Sequence, residues 1–77
     1  MKMSTCTATK TTNELDEPCW VFAGIDEDGE ECHLGHASLD REGTGFDGYF
    51  DTKHVAFDTI GQLQAWGKRH GYEIEEA

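Results

Sequence analysis

The chain has 77 residues, with sixteen Asp and Glu against six Lys and Arg, for a formal net charge of -10. A field this one-sided repels nucleic acid and anionic membrane surfaces and attracts basic partners. The length admits one domain, and below roughly 70 to 80 residues a core seldom supplies more than about 3 to 5 kcal/mol without disulfides, a metal or oligomerisation.

Residues 1–17 are rich in Thr. They alternate weakly, with Cys6 and Ala8 on one parity and Thr5, Thr7 and Thr9 on the other, which fits either an edge strand or a flexible N-terminus. The first ten residues contain no apolar stretch of the signal-peptide kind, and the cysteines, Cys6, Cys19 and Cys32, are an odd number, so the expectation is a cytoplasmic protein with reduced thiols. Their 13-residue interval recurs without flanking similarity and reads as chance. The longest apolar run, from Cys19 to Gly24, is far short of the roughly 20 residues that cross a bilayer.

Cys19 to Ile25 is the strongest strand signal. Asp28-Gly29 after it predicts a hairpin with a two-residue loop, because this dipeptide tolerates positive φ at both central positions of a type I′ turn. That register sets Ile25 opposite Cys32, Ala23 opposite Leu34 and Val21 opposite His36 on one face, with Phe22 over Gly35 and Trp20 over Ala37 on the other. Asp40 to Gly48, with three glycines, reads as an irregular loop. Tyr49 to Phe57 reads as a third strand, with Tyr49, Val55 and Phe57 on one side and Phe50, Thr52 and His54 on the other.

Thr59 followed by Gln62 has the capping-box spacing ahead of an apolar-periodic run. A helix is predicted there, with Ile60, Leu63, Trp66 and Gly67 on one face, Lys68, Arg69 and His70 suiting the C-terminal dipole, and Gly71 placed as the C′ cap. Tyr72 to Glu76 alternates as a last strand, whose Glu73, Glu75 and Glu76 guard a sheet edge. The expected architecture is a single α+β domain over residues 18–77, a small, mostly antiparallel sheet of three to five strands with one helix packed across it.

Several constellations invite a chemical reading. Cys19, Cys32, His33 and His36 are zinc-ligand types, yet structural zinc sites usually open with two cysteines two to four residues apart. On one strand Cys32 and His36 share a face that His33 leaves. Small buried hydrophobes are the simpler reading of the cysteines. Asp26, Asp28, Gly29, Glu30 and Glu31 resemble part of a calcium loop, but Gly24 and Gly35 fall at the first and last ligand positions, where acids are required. Cys32 or His54 in a cofactor-free enzyme would need a triad that nothing in the sequence orders. The 43–48 loop lacks the Gly-Lys-Ser/Thr ending of a phosphate loop, and Asp47 would repel phosphate. No metal or other cofactor is expected. Nor is direct nucleic-acid binding, since only Lys68 and Arg69 stand together.

The charge itself remains. Between Glu14 and Asp51 lie twelve acids and one base, Arg41. If Asp26, Asp28 and Glu30 lie along a strand, they form a row at about 6.6 Å spacing, comparable to successive phosphates of a nucleic-acid strand; the alternative is a solvated face that keeps the domain soluble. The expectation is a non-enzymatic interaction protein that binds and blocks a basic, nucleic-acid-binding surface of a larger protein or complex, itself a monomer or homodimer. Asp26, Glu27, Asp28, Glu30 and Glu31 at the hairpin tip, with Asp40, Glu42 and Asp47 beyond it, would supply charge complementarity, and Phe46 or Tyr49 the desolvated anchor. Phe46 also fits a place beneath the helix. In size, charge and α+β outline the chain resembles the small acidic inhibitors that phages make against host defences, anti-CRISPR and anti-restriction proteins and DNA mimics among them; no motif carries the resemblance. The second reading is an accessory or regulatory domain that binds a metal or small ligand through Cys19, Cys32 and His36.

Overall fold

The structure, a computed structural model, describes residues 4–77. Met1, Lys2 and Met3 of the 1–17 segment lie outside the described residues. Five strands follow one another, β1 (Ser4–Thr12), β2 (Pro18–Ile25), β3 (Glu31–Leu39), β4 (Phe46–Phe50) and β5 (Lys53–Phe57), each antiparallel to the one before it. Helix α1 (Ile60–Arg69) then carries the chain back, so that β6 (Tyr72–Glu76) pairs parallel to β1. The order is β5-β4-β3-β2-β1-β6.

This mixed, six-stranded sheet replaces the expected three to five strands with a helix packed across them. Two misread segments account for the difference. The N-terminal segment, expected at an edge or as a flexible end, is an interior strand between β2 and β6, with Cys6 and Ala8 facing the core. The expected third strand is broken by a tight turn at Asp51 and Thr52, where Asp51 takes φ 60°. Gly48, read as loop, belongs to β4. Because the turn resets the alternation, Phe50, Val55 and Phe57 share the core face, while Tyr49 and His54 pair on the other.

The sheet curls into a half-barrel. Laid flat, β4 and β6 would stand four strand spacings apart, about 19 Å. Instead the rings of Phe50 and Tyr72 are 4.9 Å apart, Lys53 Nζ donates to Tyr72 Oη at 3.3 Å, and that hydroxyl donates to Asp51 Oδ2 at 3.2 Å. Helix α1 lies in the mouth of the curl, against both edge strands, β5 and β6. Glycines on the inner face permit the curvature. A Cβ on Gly35 would run into the Tyr49 carbonyl, and one on Gly48 into the His36 carbonyl and within 2.6 Å of Ala37 Cα.

The inside of the curl is the core. Cys6, Ala8, Trp20, Phe22, Ala37, Phe50, Val55 and Phe57 meet Leu63 of the helix and Ile74 of β6 there. Phe22 lies 4.9 Å from Phe50, and Phe46 stacks on Phe57 at 5.5 Å. Trp20 Nε1 is buried with no hydrogen-bond partner among the described residues, a cost of about 1 to 3 kcal/mol that its ring packing offsets. The helix is as expected: Thr59 caps it, both halves of the capping box with Gln62 are made, and Gly71 takes φ 86° just past its end.

The loop between β2 and β3 is longer than the two-residue turn expected. Asp26 N donates to the Glu30 carbonyl and Gly29 N to the Asp26 carbonyl, leaving a three-residue loop with Gly29 at φ 82°. Pairing then starts one residue out of step, with Ile25 opposite Glu31. An uncorrected slip would turn every following side chain to the wrong face. A bulge at Leu34 absorbs it, so that Phe22 meets Gly35 and Trp20 meets Ala37.

Asn13 and Asp40 build turns of the same kind. The carbonyl of each accepts from the residue three ahead, Asp16 or Gly43, both at positive φ, and its side chain accepts from the residue four ahead, Glu17 or Thr44. Asp26 does the same with Glu30. The 13-residue interval of the cysteines is close to the spacing of these turns, 13 residues from Asn13 to Asp26 and 14 from Asp26 to Asp40.

Candidate functional site

The meander sorts the acids by strand end. Asp26, Glu27, Asp28 and Glu30 cap the β2–β3 hairpin, with Glu31 opening β3, whereas Asp40 and Glu42 lie in the loop at its far end. Nine-residue β3 separates them by about 26 Å. The structure therefore does not bring the tip and loop acids together into one patch. It sets Asp40 and Glu42 at the same end as Glu14, Asp16 and Glu17, because Thr12 pairs with Pro18, Cys19 with Ser38 and Leu39 with Phe46. Asp58 joins them, its carboxylate and that of Asp40 both lying beside Gly45. Leu15, 76% exposed, stands in the first of these loops.

The row of carboxylates expected at the hairpin tip does not form along a strand. Asp26 to Glu30 curl into the turn, and Asp26 Oδ1 accepts from the amides of Asp28 and Glu30, both at 2.9 Å. Asp26 and Asp40 thus use their carboxylates to shape loops, as Asn13 does with a neutral amide. Glu27, Asp28, Glu30 and Glu42 are exposed. Among the described residues the one contact at ion-pair distance is the hydrogen bond of His54 Nε2 with Asp47 Oδ1, at 2.9 Å, so no Lys or Arg there neutralises the loop acids by direct contact.

The two candidate anchors part company. Phe46 packs inward, stacked on Phe57 and edge-on to Trp20 at 6.2 Å, so it is a core residue rather than a displayed one. Tyr49 is 60% exposed on the outer face. It meets the ring of His54 edge-on at 5.7 Å, beside Asp47.

Cys19, Cys32 and His36 do not converge. Cys19 pairs with Ser38 at one end of β2, and Cys32 with Gly24 near the other, five residues or about 17 Å along the strand. The bulge at Leu34 also turns Cys32 and His36 to opposite faces, reversing the alternation read from the sequence; His33 and His36 share the outer one. No group of three or more His, Cys, Asp or Glu among the described residues has metal-binding geometry.

Burial pushes the Cys6 thiol above its ordinary value of 9.0, helped by Cys32 and Asp51 nearby. The folded state therefore holds this proton more tightly than the unfolded one. That contribution to stability is complete below about pH 9 and is lost as the pH rises through the folded value. Cys32 is exposed while Cys6 and Cys19 are buried. Treatment of the native protein with iodoacetamide at pH 7.5 should modify Cys32 alone, with the other two thiols reacting only after denaturation; equal labelling of Cys6 would contradict its place in the core.

No protein-family model matches the sequence, and no curated protein or solved structure is significantly similar to it. No helix among the described residues is long and apolar enough to cross a membrane.

Proposed function

We propose that this protein is a small, non-enzymatic interaction protein of the cytoplasm that binds a basic, nucleic-acid-binding surface of a larger protein or complex and blocks it, as phage-type inhibitors of host defence do. One observation carries the reading. Ten of the twelve acids between Glu14 and Asp51 fall in turns at the two ends of the sheet, outside the strands, and Arg41 is the one Lys or Arg within those turns. Turn acids cost the core nothing and reach furthest toward a partner, and charge at such positions acts on encounter rate and specificity more than on affinity. Glu14, Asp16 and Glu17 join the binding residues on this reading, since the fold sets them beside Asp40 and Glu42.

The test is capture by the tagged protein from lysate of its natural cellular host, washed at rising salt. One nucleic-acid-handling protein or complex should be retained at low salt and released at high salt. Reversing Glu27, Asp28 and Glu30 together, or Glu14, Glu17 and Glu42 together, should weaken its binding roughly tenfold or more, in the range by which steering raises association rates. Reversal of Glu75 and Glu76 should have a much smaller effect. Equal losses from all three sets would reduce the interaction to nonspecific attraction and end the proposal.

A further inference from the structure

The inner face of the half-barrel is filled by its own side chains and the helix, whereas no element of the described chain covers the outer face. Thr9, Val21, His36, Tyr49 and His54 stand in one register row that crosses five strands of this face. Thr9, His36, Tyr49 and His54 are exposed and Val21 is half-buried. The row carries no Asp, Glu, Lys or Arg, in a chain where such residues are 29% of the total. Most of the acids stand in the 13–17 and 40–45 loops on one side and the 26–30 loop on the other, while Asp47 of β4, bonded to His54, also lies on this face, Glu31 opens β3, and Glu73 and Glu75 lie on the edge strand β6. Tyr49 is braced by His54, which Asp47 holds in turn, so its ring has little freedom left to lose on contact. A charge-poor centre with an aromatic anchor, inside a charged rim, is the anatomy of a specific interface.

We infer that this outer face is the docking surface, and that its occupant is a protein surface with a neutral centre bordered at both ends by Lys or Arg, the two basic groups about 26 Å apart. The inference rests on the proposed function and deepens it, by placing the acids as two rims around a common centre where Tyr49 does the anchoring. Charge complementarity selects the occupant. A second copy of the chain laid on the same face would set acidic rim against acidic rim, two bodies of net charge -10.

The test uses two synthetic peptides of equal composition, titrated into the isotopically labelled protein at low salt and followed by backbone amide shifts. In one, an Arg pair flanks each end of a neutral, Trp-containing stretch long enough to span about 26 Å. In the other, all four Arg stand at one end. The first peptide should bind more tightly and shift the amides of Thr9, Val21, His36 and Tyr49, and Tyr49→Ala should weaken it roughly tenfold, within the range of an interface hot spot. Thr9→Glu, on an exposed position of the same row, should weaken it too, which guards against a fold defect particular to Tyr49. Shifts confined to the loops, alike for both peptides and indifferent to Tyr49→Ala, would overturn this inference and leave the acidic-surface reading standing. Failure of both peptides to bind would overturn both. Self-association of the chain through Tyr49, seen by sedimentation and lost in Tyr49→Ala, would give the face to a second copy and also overturn it.

Discussion

Phe50→Ala is expected to leave the chain without a cooperative unfolding transition at room temperature. Phe50 is fully buried and links elements far apart in the chain, its ring lying 4.9 Å from Phe22 of β2, 5.5 Å from Trp66 of the helix and 4.9 Å from Tyr72 of β6. Truncating a buried Phe to Ala costs about 3 to 5 kcal/mol through lost transfer energy and the cavity left behind. That is about all that a core of this size supplies. Phe46→Ala removes a half-buried ring that bridges fewer elements, and should cost less. Urea titration followed by near-ultraviolet circular dichroism would read both. A Phe50→Ala protein within about 1 kcal/mol of the parent would mean that β4, α1 and β6 do not meet at this ring, and the half-barrel would be wrong.

Gly35→Ala should be the most damaging of the glycine substitutions. Gly35 has φ 151°, a conformation that side chains rarely adopt, and an added Cβ would collide with the carbonyl of Tyr49 on the neighbouring strand. A strained backbone costs about 1 to 3 kcal/mol and overpacking a similar amount, so the sum is about 2 to 5 kcal/mol. Gly43 offers the control. It also has positive φ, at 70°, but a Cβ there would meet nothing within 4 Å, so Gly43→Ala should show the backbone cost alone. If the two variants unfold at the same urea concentration, β3 and β4 are not in the close approach described. The substitution also bears on the proposed docking face, because the carbonyl it would displace belongs to Tyr49.

The division of the acids changes what a partner must look like. A single patch joining hairpin tip and loop would fit one basic cleft. Two acidic ends about 26 Å apart, with a cross-strand row free of Asp, Glu, Lys and Arg between them, fit a broader surface with basic groups at both margins. The hairpin end is also less one-sided than the loop end, since β5 and the last helical turn bring Lys53, Lys68 and Arg69 to it.

The sequence by itself determined what depends on neighbours along the chain. The helix was legible from Thr59 to Gly71 because caps, face and dipole complement are all written within a few turns, whereas the expected pairing of Phe22 with Gly35 followed from a two-residue loop that is absent and holds because the bulge at Leu34 cancels the slip of the longer one. The acidic excess needs no fold at all. Only the tertiary structure decided the rest. A Thr-rich N-terminal stretch becomes an interior strand solely because β6, more than sixty residues later, arrives to pair with it, and no local pattern encodes that meeting. The broken third strand was hidden because a two-residue turn preserves an alternating appearance while inverting its faces, and the bulge at Leu34 did the same to Cys32 and His36. Curvature was invisible for a related reason: the glycines that allow it, Gly35 and Gly48, matter through the strand they touch. The grouping of the acids into two ends, and the exposure of Tyr49 beside a buried Phe50, follow from that curl, since a bent sheet has an inside to fill and an outside left open.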